Sequence, residues 1–186
     1  MRTQKRPDRD GGTLEQAKQV CLRLLTDRAH SRAELTERLA RHGFRADVAE
    51  AALERLAEVG LIDDAAFARQ WVASRHTHAG RGRRSLAAEL RSKGIGEAES
   101  SAALAAVTVD DERVRAAELV RRKLRGTEPP ADRLDRDRLM RRLIGMLVRR
   151  GYDGGLAMAV VREEMAAVAH ELSAPDPADD DPMLTS

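Results

Sequence analysis

Asp63 and Asp64 stand side by side, and paired carboxylates are common raw material for acid–base chemistry or for holding a metal. Their setting, just ahead of an apolar helical stretch, gives them the work of a helix cap instead. A carboxylate there accepts from free backbone N–H groups and offsets the positive end of the helix dipole. His76 and His78 lie two positions apart at a helix end, so they do not share a face as ligands spaced i, i+4 would. Cys21 is the sole cysteine, which excludes an intrachain disulfide. It occupies an apolar position with no histidine beside it in sequence, the pattern of a small core residue rather than a nucleophile. The run GRGRRS over residues 80–85 lacks the fixed spacing, ending in Gly-Lys-Ser/Thr, of a phosphate-binding loop. No catalytic constellation emerges, and no metal or cofactor is expected.

The basic side chains carry the stronger signal. The whole chain is nearly balanced, with 33 basic and 31 acidic residues, but the signs are segregated. Residues 13–64 hold eight bases against ten acids, whereas residues 113–150 hold thirteen against five. Between them, Arg75, Arg81, Arg83, Arg84, Arg91 and Lys93 cluster with Glu89 as the only acid in the stretch. Arg81, Arg83 and Arg84 fall at a helix N-terminus, where free N–H groups already favour an anion, and Arg83 and Arg84 are expected in its first exposed turn. A second group comprises Arg121, Arg122, Lys123 and Arg125, followed by Arg141, Arg142, Arg149 and Arg150. Such density suits a nucleic-acid backbone or an acidic protein face. The alternative, a solvated face with incidental ion pairs, stays open for any single arginine, because a chain with 29 Arg and 4 Lys reflects a GC-rich coding bias as well. A base-reading apparatus is missing. Phe44, Phe67, Trp71 and Tyr152 are the only aromatics, mostly at core positions, so binding is expected to be backbone-directed.

The elements that must position these residues are helices, and they repeat. Leu35, Leu39, Gly43 and Phe44, followed by Ala52 and Leu53, recur as Leu86, Leu90, Gly94 and Ile95, followed by Ala103 and Leu104. They recur again as Leu143, Leu147, Gly151 and Tyr152, followed by Val160 and Val161. A period near 50 residues, apolar at helical spacing and stopped by glycine, predicts an all-α tandem array of three three-helix repeats, about nine helices, elongated and curved, with helix-turn-helix-like units. The predicted repeats cover residues 13–60, 61–108 and 109–172. A polar arm at 1–12 and a Pro- and Asp-rich acidic tail at 173–186 are both expected to be disordered. Capping boxes at Thr13 with Gln16 and at Ser31 with Glu34 open the first two helices, and Asp47 is expected to cap the third. Inward faces are predicted at Leu14, Ala17, Cys21, Leu24 and Leu25, at Phe67, Trp71 and Val72, and at Val114, Ala117, Leu119 and Val120. Nothing alternates over strand length, and no apolar run is long enough to span a membrane.

The run GLIDDAAFARQWVASR over residues 60–75, with GRRSLAAELRSKGI over 82–95, resembles the central signature of the RecX family. SRAELTERL over 31–39 and the RRGY turn at 149–152 fit the same family, and the resemblance extends from about residue 14 to 170. What it implies is a regulator of RecA, the recombinase that forms ATP-dependent filaments on single-stranded DNA. RecX-like proteins are built of three-helix repeats, lie in the filament groove, and block extension, ATP hydrolysis and strand exchange, with modest binding to single- and double-stranded DNA. The implied chain is a cytoplasmic monomer without enzymatic activity. A helix-turn-helix transcriptional regulator is the alternative, and it would favour one duplex sequence by orders of magnitude.

Overall fold

The computed structural model describes residues 11–128 and 130–173, and within them the chain forms nine helices and no strand. These are α1 (Leu14–Asp27), α2 (Arg32–Arg41), α3 (Ala46–Glu58), α4 (Asp64–Ala79), α5 (Arg83–Ser92), α6 (Glu97–Ala105), α7 (Val109–Leu124), α8 (Arg133–Arg149) and α9 (Gly154–Ser173). The helices pack in consecutive threes around separate apolar cores. One core centres on Cys21, Leu35, Leu39 and Leu53, another on Phe67, Leu86 and Leu90, and the last on Leu143, Leu147, Tyr152 and Val161. The chain divides into two compact units, residues 1–108 with the first two helix triplets and 109–186 with the third. The expectations for the arm and the tail lie outside the described residues, apart from Gly11, Gly12 and Ser173.

One local device recurs at the end of the middle helix of each triplet. Gly43, Gly94 and Gly151 take left-handed φ values of 87°, 70° and 91°. Each donates its N–H three residues back, and the next residue donates five back: Phe44 to Leu39 at 3.1 Å, Ile95 to Leu90 at 3.1 Å and Tyr152 to Leu147 at 3.2 Å. This is the Schellman arrangement, in which glycine enters αL without strain and the following apolar residue folds onto the helix it has just left. Phe44, Ile95 and Tyr152 are accordingly buried. The three-fold sequence pattern is therefore a three-fold turn.

Other expectations need adjustment. Thr13 and Ser31 form capping boxes as predicted, with Gln16 and Glu34 respectively. Asp47 does not cap α3. Arg45 occupies that position without a side-chain cap, and Asp47 instead lies in the first turn, where its carboxylate pairs with Arg45 at 2.9 Å. Leu14 is 40% exposed, because it opens α1 before that helix reaches its neighbours, and Leu24 and Leu25 are half-buried. Val114 points outward, 58% exposed, while Ala116 takes the inward position. On α7 the small residues Ala116 and Ala117 let the backbone approach α9, with which the helix packs. Trp71 is half-buried at the margin of its core rather than inside it.

Candidate nucleoprotein interface

Trp71 stands one turn before Arg75 on α4, and Glu89 of α5 one turn before Lys93, the helical C-cap of α5, so both pairs share a helix face. The packing of α4 against α5 brings the four together. Glu89 Oε2 accepts from Trp71 Nε1 at 3.0 Å and from Arg75 Nε at 2.9 Å, while Oε1 lies 3.3 Å from Arg81 Nε. Burial works against the Glu89 carboxylate, but hydrogen bonds from Arg75 and Trp71 outweigh it and hold its pKa below the usual range. The Arg75 guanidinium also lies 5.6 Å from the Trp71 ring centroid and Lys93 Nζ 4.7 Å from it, both within cation–π range. Phe67 stacks on Trp71 at 5.7 Å. Three of the residues that the sequence marks as partner contacts thus serve first to hold α4 to α5.

Lys93 has a further task. Its ammonium meets Glu34 Oε1 on α2 at 2.5 Å, and Glu34 also takes a bidentate contact from Arg28 at 3.2 and 3.3 Å. Burial opposes ionisation of Glu34, yet these bonds and the Ser31 N–H bring its pKa down to about 2. Alongside, Ser31 Oγ donates to the Lys93 carbonyl at 2.6 Å, and the Arg32 N–H donates to Asp64 Oδ1 at 2.8 Å. Asp63, its neighbour, caps α4 by accepting from the Ala66 N–H at 2.8 Å. The paired carboxylates are therefore divided between two helices: one caps its own, the other the N-terminus of α2 in the preceding triplet. No feature of local sequence announces that second role.

Arg83 and Arg84 do not behave alike. Arg83 is half-buried and donates to the Val107 carbonyl at 2.7 Å, tying the start of α5 to the residues after α6, whereas Arg84 is exposed. The expectation that both sit in an exposed turn holds for Arg84 alone. Arg91 is exposed and makes no ion pair among the described residues.

In the second unit the cations are more open. Arg121 pairs with Glu164 at 2.9 Å. Arg122, Lys123 and Arg125 are exposed without ion pairs among the described residues, and their place in and just after the last turn of α7 complements the helix dipole. Arg141, Arg142 and Arg149 are exposed on α8, also without ion pairs among the described residues, and Arg150 is half-buried beyond its end. Tyr152 is fully buried beside these helices, and burial raises its phenol to about 12. Cys21 is likewise buried and its thiol raised to about 11, the state of an inert core residue. Among the described residues no three histidine, cysteine or acidic side chains converge as metal ligands would. No described helix is long and apolar enough to cross a membrane.

Models of the RecX family match residues 17–56 as the first three-helix domain and residues 63–104 as the second. A protein of Mycobacterium avium named Regulatory protein RecX is 55% identical over 153 residues, covering 82% of this chain and 87% of its own length. Its namesake in Mycolicibacterium vanbaalenii is 51% identical over 154 residues, covering 82% and 84%. The chain belongs to the RecX family. Its fold agrees with that of crystallised RecX from Lactobacillus salivarius, with a TM-score of 0.69 at 17% identity over 81% of this chain and 96% of the other. A second crystallised RecX gives 0.68 at 21% identity over 79% and 72%. The tie through Ser31, Glu34, Asp64 and Lys93 therefore joins the first and second RecX three-helix domains, and the α8 cations lie outside both matched segments.

Proposed function

We propose that this chain binds the filament that RecA forms on single-stranded DNA and restrains its extension, ATP hydrolysis and strand exchange. It acts in the cytoplasm as a monomer, without cofactor or catalysis of its own, and touches single- and double-stranded DNA weakly and without sequence preference. The observation that carries this reading is 55% identity over 153 residues to a protein named Regulatory protein RecX. The exposed cations Arg84, Arg91, Arg141, Arg142 and Arg149 support it, since a nucleoprotein partner presents phosphates. So does a repeat architecture, which offers surface rather than a deep pocket. Titrating the protein against the ATPase activity of RecA on single-stranded DNA tests the proposal. Turnover should fall to a low plateau; unaltered turnover at excess protein overturns it.

The helix-turn-helix alternative fares worse on the third helix of the first two triplets, the position of a recognition helix. The exposed residues of α3 include Asp47, Glu50, Glu54 and Glu58, and those of α6 include Glu97. Acids on these faces would meet the phosphate wall of a groove. Selection from a random duplex library that converges on one site would restore that alternative.

A further inference from the structure

Helix α8 carries a face that the other helices do not. Arg138, Arg142, Gly145 and Arg149 follow one another at i, i+4, i+7 and i+11, so they line one stripe, with Arg141 beside it. The stripe spans about 16 Å at ~1.5 Å per residue, which is the axial length of roughly five nucleotides of one strand at ~3.4 Å each. Only Arg138 is neutralised, by Asp135 at 3.0 Å. Arg141 and Arg142 sit mid-helix, where neither dipole nor cap accounts for a cation, in contrast to the α7 cluster at its C-terminal end.

Gly145 is a second and independent observation. A glycine inside a helix is unfavourable relative to alanine, and this one has neither a left-handed φ nor a core contact to require it. What it leaves room for is Arg149: a Cβ at position 145 would lie 3.1 Å from Arg149 Nη1. The gap lets that guanidinium fold back along the stripe toward Arg142.

We infer that this face of α8 is a binding surface for a nucleic-acid sugar–phosphate backbone, with Arg141, Arg142 and Arg149 as its phosphate contacts and Gly145 as the residue that seats Arg149. The inference rests on the reading of the chain as a nucleoprotein-filament regulator, in that it expects nucleic acid as partner, but it assigns the contact to the third helix triplet. An acidic protein face would also attract cations. The length of the stripe, close to that of a short run of one strand, and the exposure of Arg141, Arg142 and Arg149 without ion pairs among the described residues favour phosphodiester.

The test measures anisotropy of a labelled oligothymidine and of a labelled duplex, across a range of salt, without recombinase. The triple variant Arg141→Gln, Arg142→Gln, Arg149→Gln should flatten the dependence of log affinity on log salt by about 2 on single strands and nearly 3 on duplex, since each lost phosphate contact removes ~0.7 or ~0.9. A charge-matched control, Arg122→Gln, Lys123→Gln, Arg125→Gln, should change the slope by less than one. Gly145→Ala should raise the melting temperature while weakening binding a few-fold, a combination that general loss of structure does not produce. An unchanged slope in the α8 triple, or an equal change in the α7 control, overturns the inference. If inhibition of recombinase is lost while the slope is unchanged, the face belongs to an acidic protein partner. Failure of wild-type protein to inhibit recombinase would instead strike the proposed function, and leave the DNA measurement standing.

Discussion

The cations of α4 and α5 and those of α8 are alike in the sequence and opposite in the structure. Around Trp71, arginine and lysine are gathered onto Glu89 and Glu34, sheltered by an aromatic ring, and used to fix one helix against another. On α8 the same residue type stands exposed along a stripe, and Arg138 at its start is the one member in an ion pair among the described residues. The difference lies in what the neighbouring helix presents to each cation. Glu89 and Glu34 reach across to a cation on a facing helix and make it a tie, whereas no facing helix offers Arg142 or Arg149 an ion pair among the described residues.

The tie around Glu89 depends most on the indole at its centre. Trp71→Ala removes the stack on Phe67, the partner of two cations and a donor to Glu89. It should cost about 3 kcal/mol in urea unfolding, the lower end for aromatic truncation because the ring is only half-buried. An unchanged midpoint would mean that the ring is a free surface feature. Next comes Glu34, whose pKa is depressed to about 2. A lowered folded-state pKa contributes stability above the unfolded value of 4.5, and that stability is lost as pH falls from there toward 2. The loss should be on the order of 3 kcal/mol, at ~1.4 kcal/mol per pKa unit. Glu34→Gln should remove this part of the acid dependence, as seen by melting at stepped pH.

How much of this was legible in the sequence depended on whether the cause was local. The turns at Gly43, Gly94 and Gly151, and the capping boxes at Thr13 and Ser31, are fixed by residues within five positions and could be read directly. Helix count and repeat period follow from the same pattern, while the family resemblance rests on the runs over residues 60–75 and 82–95. The division of labour among cations could not be read so easily, because Lys93 meets Glu34 across 59 positions and Arg83 meets Val107 across 24. A signal was present for the first group: Trp71 with Arg75 and Glu89 with Lys93 at i, i+4 mark two faces built to meet. Nothing comparable announces that Asp64 caps the helix of another triplet.

Ser31→Ala deletes both the cap of α2 and the bond to the Lys93 carbonyl, and should cost about 1–2 kcal/mol in thermal or urea unfolding. The smallest effect belongs to α8: Arg142→Gln should alter stability by less than ~0.5 kcal/mol, because its side chain is exposed and makes no ion pair among the described residues. A loss of 2 kcal/mol there would erase the distinction between the two groups of cations.

The bonds of Ser31 and Arg32 to residues of the second triplet bear on synthesis at the ribosome. Sixty-two residues separate Ser31 from Lys93, and thirty-two separate Arg32 from Asp64. At about 5–20 residues per second, the partners of α2 emerge roughly 2–12 seconds after the helix itself. Throughout that interval the Arg32 N–H and the Glu34 carboxylate lack contacts that the finished protein supplies. The first triplet thus leaves the exit tunnel as an unfinished piece, and its maturation is timed by the arrival of the second.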